Sequence, residues 1–111
     1  MRIIDLHSHW GTKRGYPFQT PEELAQQRRV FRSDPSYMTE QEMAGHFRTM
    51  NVQTILDLGV RSISIDELRE LHDYAFDVQR QCSDVVLGNW LHIDPNTGSA
   101  GLEEQIGRAH V

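Results

Sequence analysis

The chain has 111 residues, with 11 Lys+Arg against 16 Asp+Glu for a formal charge of −5, and one cysteine. That length allows one small domain with its own core, and the acidic balance argues against a nucleic-acid-binding surface. The lone Cys82 excludes an internal disulfide framework and fits a reducing compartment. No apolar run approaches the ~20 residues that cross a bilayer, and Met1-Arg2-Ile3-Ile4-Asp5 is charged too early for a signal peptide. A cytoplasmic protein without a nucleic-acid or membrane partner is the expectation.

In chain order, Ile3–His7 reads as a buried strand, and Gly11, Gly15 and Pro17 mark Trp10–Gln19 as a loop. TPEE at Thr20–Glu23 supplies a cap, a proline at the first helical position and a capping-box glutamate, predicting a helix to about Arg32 that SDPSY breaks. TEQE at Thr39–Glu42 is a second such start, and Met43, Phe47 and Met50 follow at helical spacing. Val52–Leu58 (VQTILDL) is a short, partly β-branched apolar run and reads as a strand. SIDE at Ser64–Glu67 opens a third helix, ending near Cys82, on which Leu68, Leu71, Ala75 and Val78 share a face. Asp84–Ile93 reads as a third strand, DPNTGSAG as a turn, and a last helix is expected to begin near Ala100. Strands alternating with helices predict right-handed βαβ units, a parallel sheet and an α/β fold.

The stretch IIDLHSHW, Ile3–Trp10, carries Asp5, His7 and His9 on alternate positions. On a regular strand these point to one face. His7 and His9 lie at the strand's carboxyl end, where parallel α/β proteins gather functional groups. Two imidazoles at i and i+2 can meet one metal ion, and neutral imidazole suits zinc; the alternative is a hydrogen-bonded histidine pair. Asp5, deeper on that face, either orients a ligand histidine or accepts backbone donors. Trp10 either walls a substrate pocket or packs beneath the long loop. Asp57 and His92, near the ends of their strands, are candidates for substrate contact. Arg61, just beyond the second strand, is a candidate for binding a substrate carboxylate. All three are weighed against ordinary turn and surface roles. His46 and His72 read as helix-surface residues, Met38, Met43 and Met50 as core filling. Cys82, at a helix end with no predicted basic partner, does not read as a nucleophile.

IIDLHSH, the long loop after it, the acidic capped helices and VVLGNWLHIDP resemble the amidohydrolase superfamily of metal-dependent (β/α)8 barrels, and most of all its amidohydrolase-related branch. The resemblance runs from Arg2 to about Glu104. It implies that residues 1–105 are the N-terminal portion, about three βα units, of a TIM barrel that needs ~250 residues when whole. His7 and His9 would then be the first two ligands of a divalent metal, zinc by expectation. Two more histidines and an aspartate would come from later strands, the aspartate also handling the proton of metal-bound water. The metal would lower the pKa of that water and polarise a substrate oxygen. The implied activity is hydrolysis of an amide or lactone in a small-molecule substrate, by a whole enzyme that could be a homo-oligomer. Non-oxidative decarboxylation of an aromatic or unsaturated acid on the same scaffold is the alternative. PHP-type phosphoesterases also begin with Asp-x-His-x-His, and a small non-enzymatic α/β module is a reading from another class.

The last six residues, IGRAHV, are what ATC-GGA-AGA-GCA-CAC-GTC encodes, a string within a widely used sequencing adapter. The native frame is therefore expected to end near Gln105, with 106–111 a non-native tail and His110 outside any metal argument. Three parallel strands covered by helices on one side would leave one face and both edges open, so the chain is expected to be marginal or aggregation-prone.

Overall fold

A computed structural model of the chain describes residues 1–15, 19–34, 36–57, 64–92 and 94–109. The elements are β1 (Ile3–Ser8), α1 (Pro21–Phe31), α2 (Glu40–Met50), β2 (Val52–Asp57), α3 (Ile65–Gln81), β3 (Val86–Trp90) and α4 (Gly98–Ala109), with a 3-10 turn at Pro95–Thr97 before α4. Short hydroxyl side chains start three of the helices. Thr20, Thr39 and Ser64 accept from the backbone N–H of Glu23, Glu42 and Glu67, satisfying donors that a helix start leaves orphaned. The reciprocal half of the capping box forms at Thr20–Glu23. At Thr39 the Glu42 carboxylate instead takes the cap's own hydroxyl proton, at 3.1 Å. α2 ends on Asn51 in the left-handed region at φ 56°, one of the few residue types that adopt it readily.

The fold is mixed α/β: three parallel strands in the order β1-β2-β3, with helices against one face. Leu56, Val85 and Val86 meet Ala44 of α2 and Tyr74 and Val78 of α3 in one buried cluster, with Trp10 and Cys82 completing it and Met43 and Phe47 packed at its margin. Asn89 ties β3 to α3 by donating to the Ala75 carbonyl at 3.1 Å and to Gln79 at 2.8 Å. The molecule measures 43 × 42 × 19 Å, so its short dimension is that of one sheet and one layer of helices. α1 stands off this core: it buries no residue, and Val30 and Phe31 are exposed. No helix among the described residues is long and apolar enough to cross a membrane.

Three expectations change. β1 is not buried: Ile3, Ile4 and Leu6 are 49%, 48% and 64% exposed, because the helices pack chiefly on β2 and β3 and leave β1 largely uncovered. β3 is shorter than Asp84–Ile93, because the chain turns through 82–85 and Asp84 is drawn into a two-pronged bond with Arg48, at 2.6 and 2.9 Å. His72 is buried, not on the surface: α4 packs over it, and its Nδ1 donates to Glu104 at 3.3 Å. The last helix, expected to begin near Ala100, is present as α4 from Gly98; its Arg108 pairs with Asp73 at 2.6 Å and with Glu104 at 2.8 Å.

Leu56 is 1% exposed at the centre of the covered face. Leu56→Ala should cost about 2–5 kcal/mol, read as a lowered denaturant midpoint at unchanged slope. The uncovered face and the free β1 edge should make the chain associate as concentration rises. Sedimentation velocity should show this, and Leu6→Lys should suppress it; a monomer at all concentrations would count against it. Burial alone would raise the Glu104 carboxyl, but hydrogen bonds from Arg108 and His72 outweigh it and hold it below the ordinary glutamate range. A carboxyl lowered on folding adds stability that is present above its unfolded value of about 4.3 and lost as pH falls through the lower folded value. α4 should therefore loosen as pH falls below about 4.3, seen as lower amide protection in 98–108 relative to intrinsic exchange, and Glu104→Gln should flatten that acid limb.

Candidate functional site

The strand ends converge on Asp57, the last residue of β2, which is 7% exposed. Its Oδ2 lies 2.5 Å from His7 Nε2, and its Oδ1 lies 2.5 Å from His92 Nε2. An ionised carboxylate can only accept, so each imidazole presents an N–H to one oxygen. The Asp57 backbone carbonyl is bonded by His9 Nδ1 at 2.6 Å. A carbonyl also only accepts, so His9 carries its hydrogen on Nδ1 and keeps the Nε2 lone pair for another partner. The His7 and His9 rings sit edge to face, with centroids 4.9 Å apart.

The backbone brings these groups together through an irregularity. Asp5 pairs with Thr54 and Ser8 with Leu56, so Leu6 and His7 together stand opposite Ile55 alone. This extra residue is a β-bulge, which breaks the alternation of faces. Asp5, His7 and His9 therefore do not form one regular stripe: His7 turns to Asp57, while Asp5 shares register with Thr54 on the helix side. Ser8, beyond the bulge, meets buried Thr54 hydroxyl to hydroxyl at 2.5 Å. The bulge also frees the Leu6 carbonyl, which takes the Trp90 indole N–H at 2.8 Å from two strands away. His92 follows β3 by two residues and reaches back over the strand end to Asp57.

The nitrogens of His7 and His9 and a carboxylate oxygen of Asp57 lie within 4.8 Å of one another. Zinc holds N and O donors at about 2.0–2.1 Å, hence about 3.4 Å apart in a tetrahedron. At its widest the set must contract from 4.8 Å to about 3.4 Å, within reach of side chains as exposed as His7, at 59%. Two imidazoles and one carboxylate are a donor set used by catalytic zinc, which keeps a further position open. The residues present fit a divalent ion.

The other candidates fall differently. The Asp5 carboxylate accepts the His7 backbone N–H at 3.1 Å, the backbone-acceptor alternative, and touches neither imidazole. Trp10 does not wall a pocket: it is 2% exposed and stacks edge-on with Phe47 at 5.4 Å, because the loop after β1 folds back over α2 and bonds Met38 N–H to the Gly11 carbonyl. The aromatic beside the site is Trp90, 52% exposed and in register with Asp57. Reading the sequence missed it, and the signal available was that Asp57 and Trp90 both close their strands. Arg61 lies outside the described residues. His46 is exposed. Cys82 is buried, and burial pushes its thiol up despite the nearby Arg48, so it is no nucleophile. Compared with protein-family models, with curated proteins and with solved structures, the chain gives no match.

Proposed function

We propose that this chain forms the metal-binding part of a metal-dependent hydrolase of the amidohydrolase kind, in which its three strands belong to a (β/α)8 barrel. The observation that carries the reading is the convergence of His7, His9 and Asp57 at the carboxyl ends of neighbouring parallel strands. Barrel enzymes place their chemistry at that end. The sheet's uncovered face is consistent with a sheet that continues past β1 and β3, since parallel sheets are ordinarily covered on both faces.

His7, His9 and Asp57 would hold the ion, which when bound supplies an acidified water and a polarised substrate carbonyl for cleavage of an amide or lactone. The protein's own contributions are orientation and shelter. The Asp57 carbonyl fixes the His9 tautomer, leaving Nε2 to ligate. Trp90 and Leu6, joined by the indole hydrogen bond, lie exposed beside the site and offer an apolar wall to a small-molecule substrate. The barrel's later strands would supply the remaining ligands and the base, so turnover is expected of the completed barrel and not of these 111 residues.

The test is metal binding by this chain. Calorimetric titration of metal-free protein with Zn2+ should give one site per chain, with proton release as imidazole protons are displaced. The affinity should rise with pH. The double substitution His7→Ala, His9→Ala should abolish binding with the far-UV spectrum retained. A wild-type chain that takes up no Zn2+, Co2+ or Mn2+ would overturn the reading.

A further inference from the structure

The proposed ligand set uses one oxygen of Asp57 and leaves the other to be accounted for. That second oxygen, Oδ1, is engaged by His92, a residue outside the three-donor group. The segment around His92 is fixed on both sides. Before it, Trp90 is anchored by its indole to the Leu6 carbonyl, and the Leu91 carbonyl takes an amide hydrogen of Gln105 from α4 at 3.0 Å. After it, Asp94 caps the 3-10 turn, accepting from Asn96 N–H at 2.9 Å. A histidine whose neighbours are each tied to a different element is held in place by more than its own hydrogen bond to Asp57.

Resting on the metal-site reading above, we propose that His92 is the positioning residue of the centre. Its Nε2–H holds Asp57 Oδ1, so that Oδ2 is presented on the side of His7 and His9. His92 is not itself a ligand. A carboxylate free to rotate about its last torsion would present either oxygen at varying angles. One held by an N–H at 2.5 Å presents a single oxygen, and such outer partners of metal ligands typically set affinity by 10- to 100-fold, as an order of magnitude.

The experiment measures Zn2+ affinity of the whole chain by competition with a chromophoric chelator. His92→Ala should bind Zn2+ about 10- to 100-fold more weakly than wild type. His92→Gln, whose amide nitrogen can take the Nε2 place, should recover most of the loss. Nitrogen NMR of the imidazoles in the wild-type protein gives a second readout that needs no variant. With Zn2+ bound, His92 Nε2 should remain protonated while His7 and His9 each show a metal-bound nitrogen. Equal affinity in wild type and His92→Ala, or a metal-bound His92 nitrogen, would overturn the proposal. A wild-type chain that binds no Zn2+ would instead overturn the metal site itself.

Discussion

A carboxylate that is 7% exposed must be compensated, since an uncompensated buried charge costs several kcal/mol as an order of magnitude. At Asp57 the compensation comes from outside its own strand. One imidazole arrives from β1 and one from beyond β3, each on its own oxygen. This single side chain thus joins the ends of all three strands. The bulge in β1 and the chain's exit from β3 after Trp90 both serve to deliver those donors. Removing the carboxylate would leave His7 and His92 without their shared partner, so the site is built around Asp57 and not around the His-x-His pair that draws the eye.

The backbone plan was largely readable from local signals. Thr20, Thr39 and Ser64, each followed by a glutamate three positions on, place helix starts to within a residue, because capping is settled by side chains adjacent in sequence. The alternation of strands and helices gave the parallel sheet for the same reason: apolar periodicity is a local property. The site was legible only in part. His7 and His9 stand out by spacing, but a bulge depends on how β1 meets β2, and no feature of IIDLHSHW alone announces it. The role of Asp57 depends on two strands it does not belong to. Trp10 and Trp90 are chemically alike, and only the fold decides that one is sealed against Phe47 while the other lies over the open face. His72 was misread because its burial comes from α4, an element separated from it by β3 and a turn.

The sheet carries an unequal load on its two faces. Leu56 and Val86 are packed under helices, while Ile4 and Leu6 of β1 and Trp90 of β3 stand exposed. Exposed apolar side chains gathered on a parallel sheet work against solubility, and a polar cluster at the rim of that face is unusual for a surface whose neighbours are apolar. The two features make sense together if the face is the inner wall of a larger closed sheet. Groups at its rim then gain from a dry surround, where a bound ion polarises its ligands more strongly than in water.

His7 and Asp57 are held together by a hydrogen bond with nitrogen and oxygen 2.5 Å apart, and this is the position a divalent ion would take on the proposed reading. A proton and a metal ion compete for the same lone pairs. The proton has the practical effect of keeping the nitrogen and the oxygen close and aligned when no ion is present. That arrangement removes much of the ordering cost that a flexible pair would incur on binding. The Asp57 carbonyl does the same for His9 by fixing its tautomer, without occupying the nitrogen that would ligate. On the proposed reading, the hydrogen bonds of the site work as its preorganisation. Their common anchor on one residue of β2 explains how a strand-end cluster with two exposed imidazoles can keep a defined geometry in water.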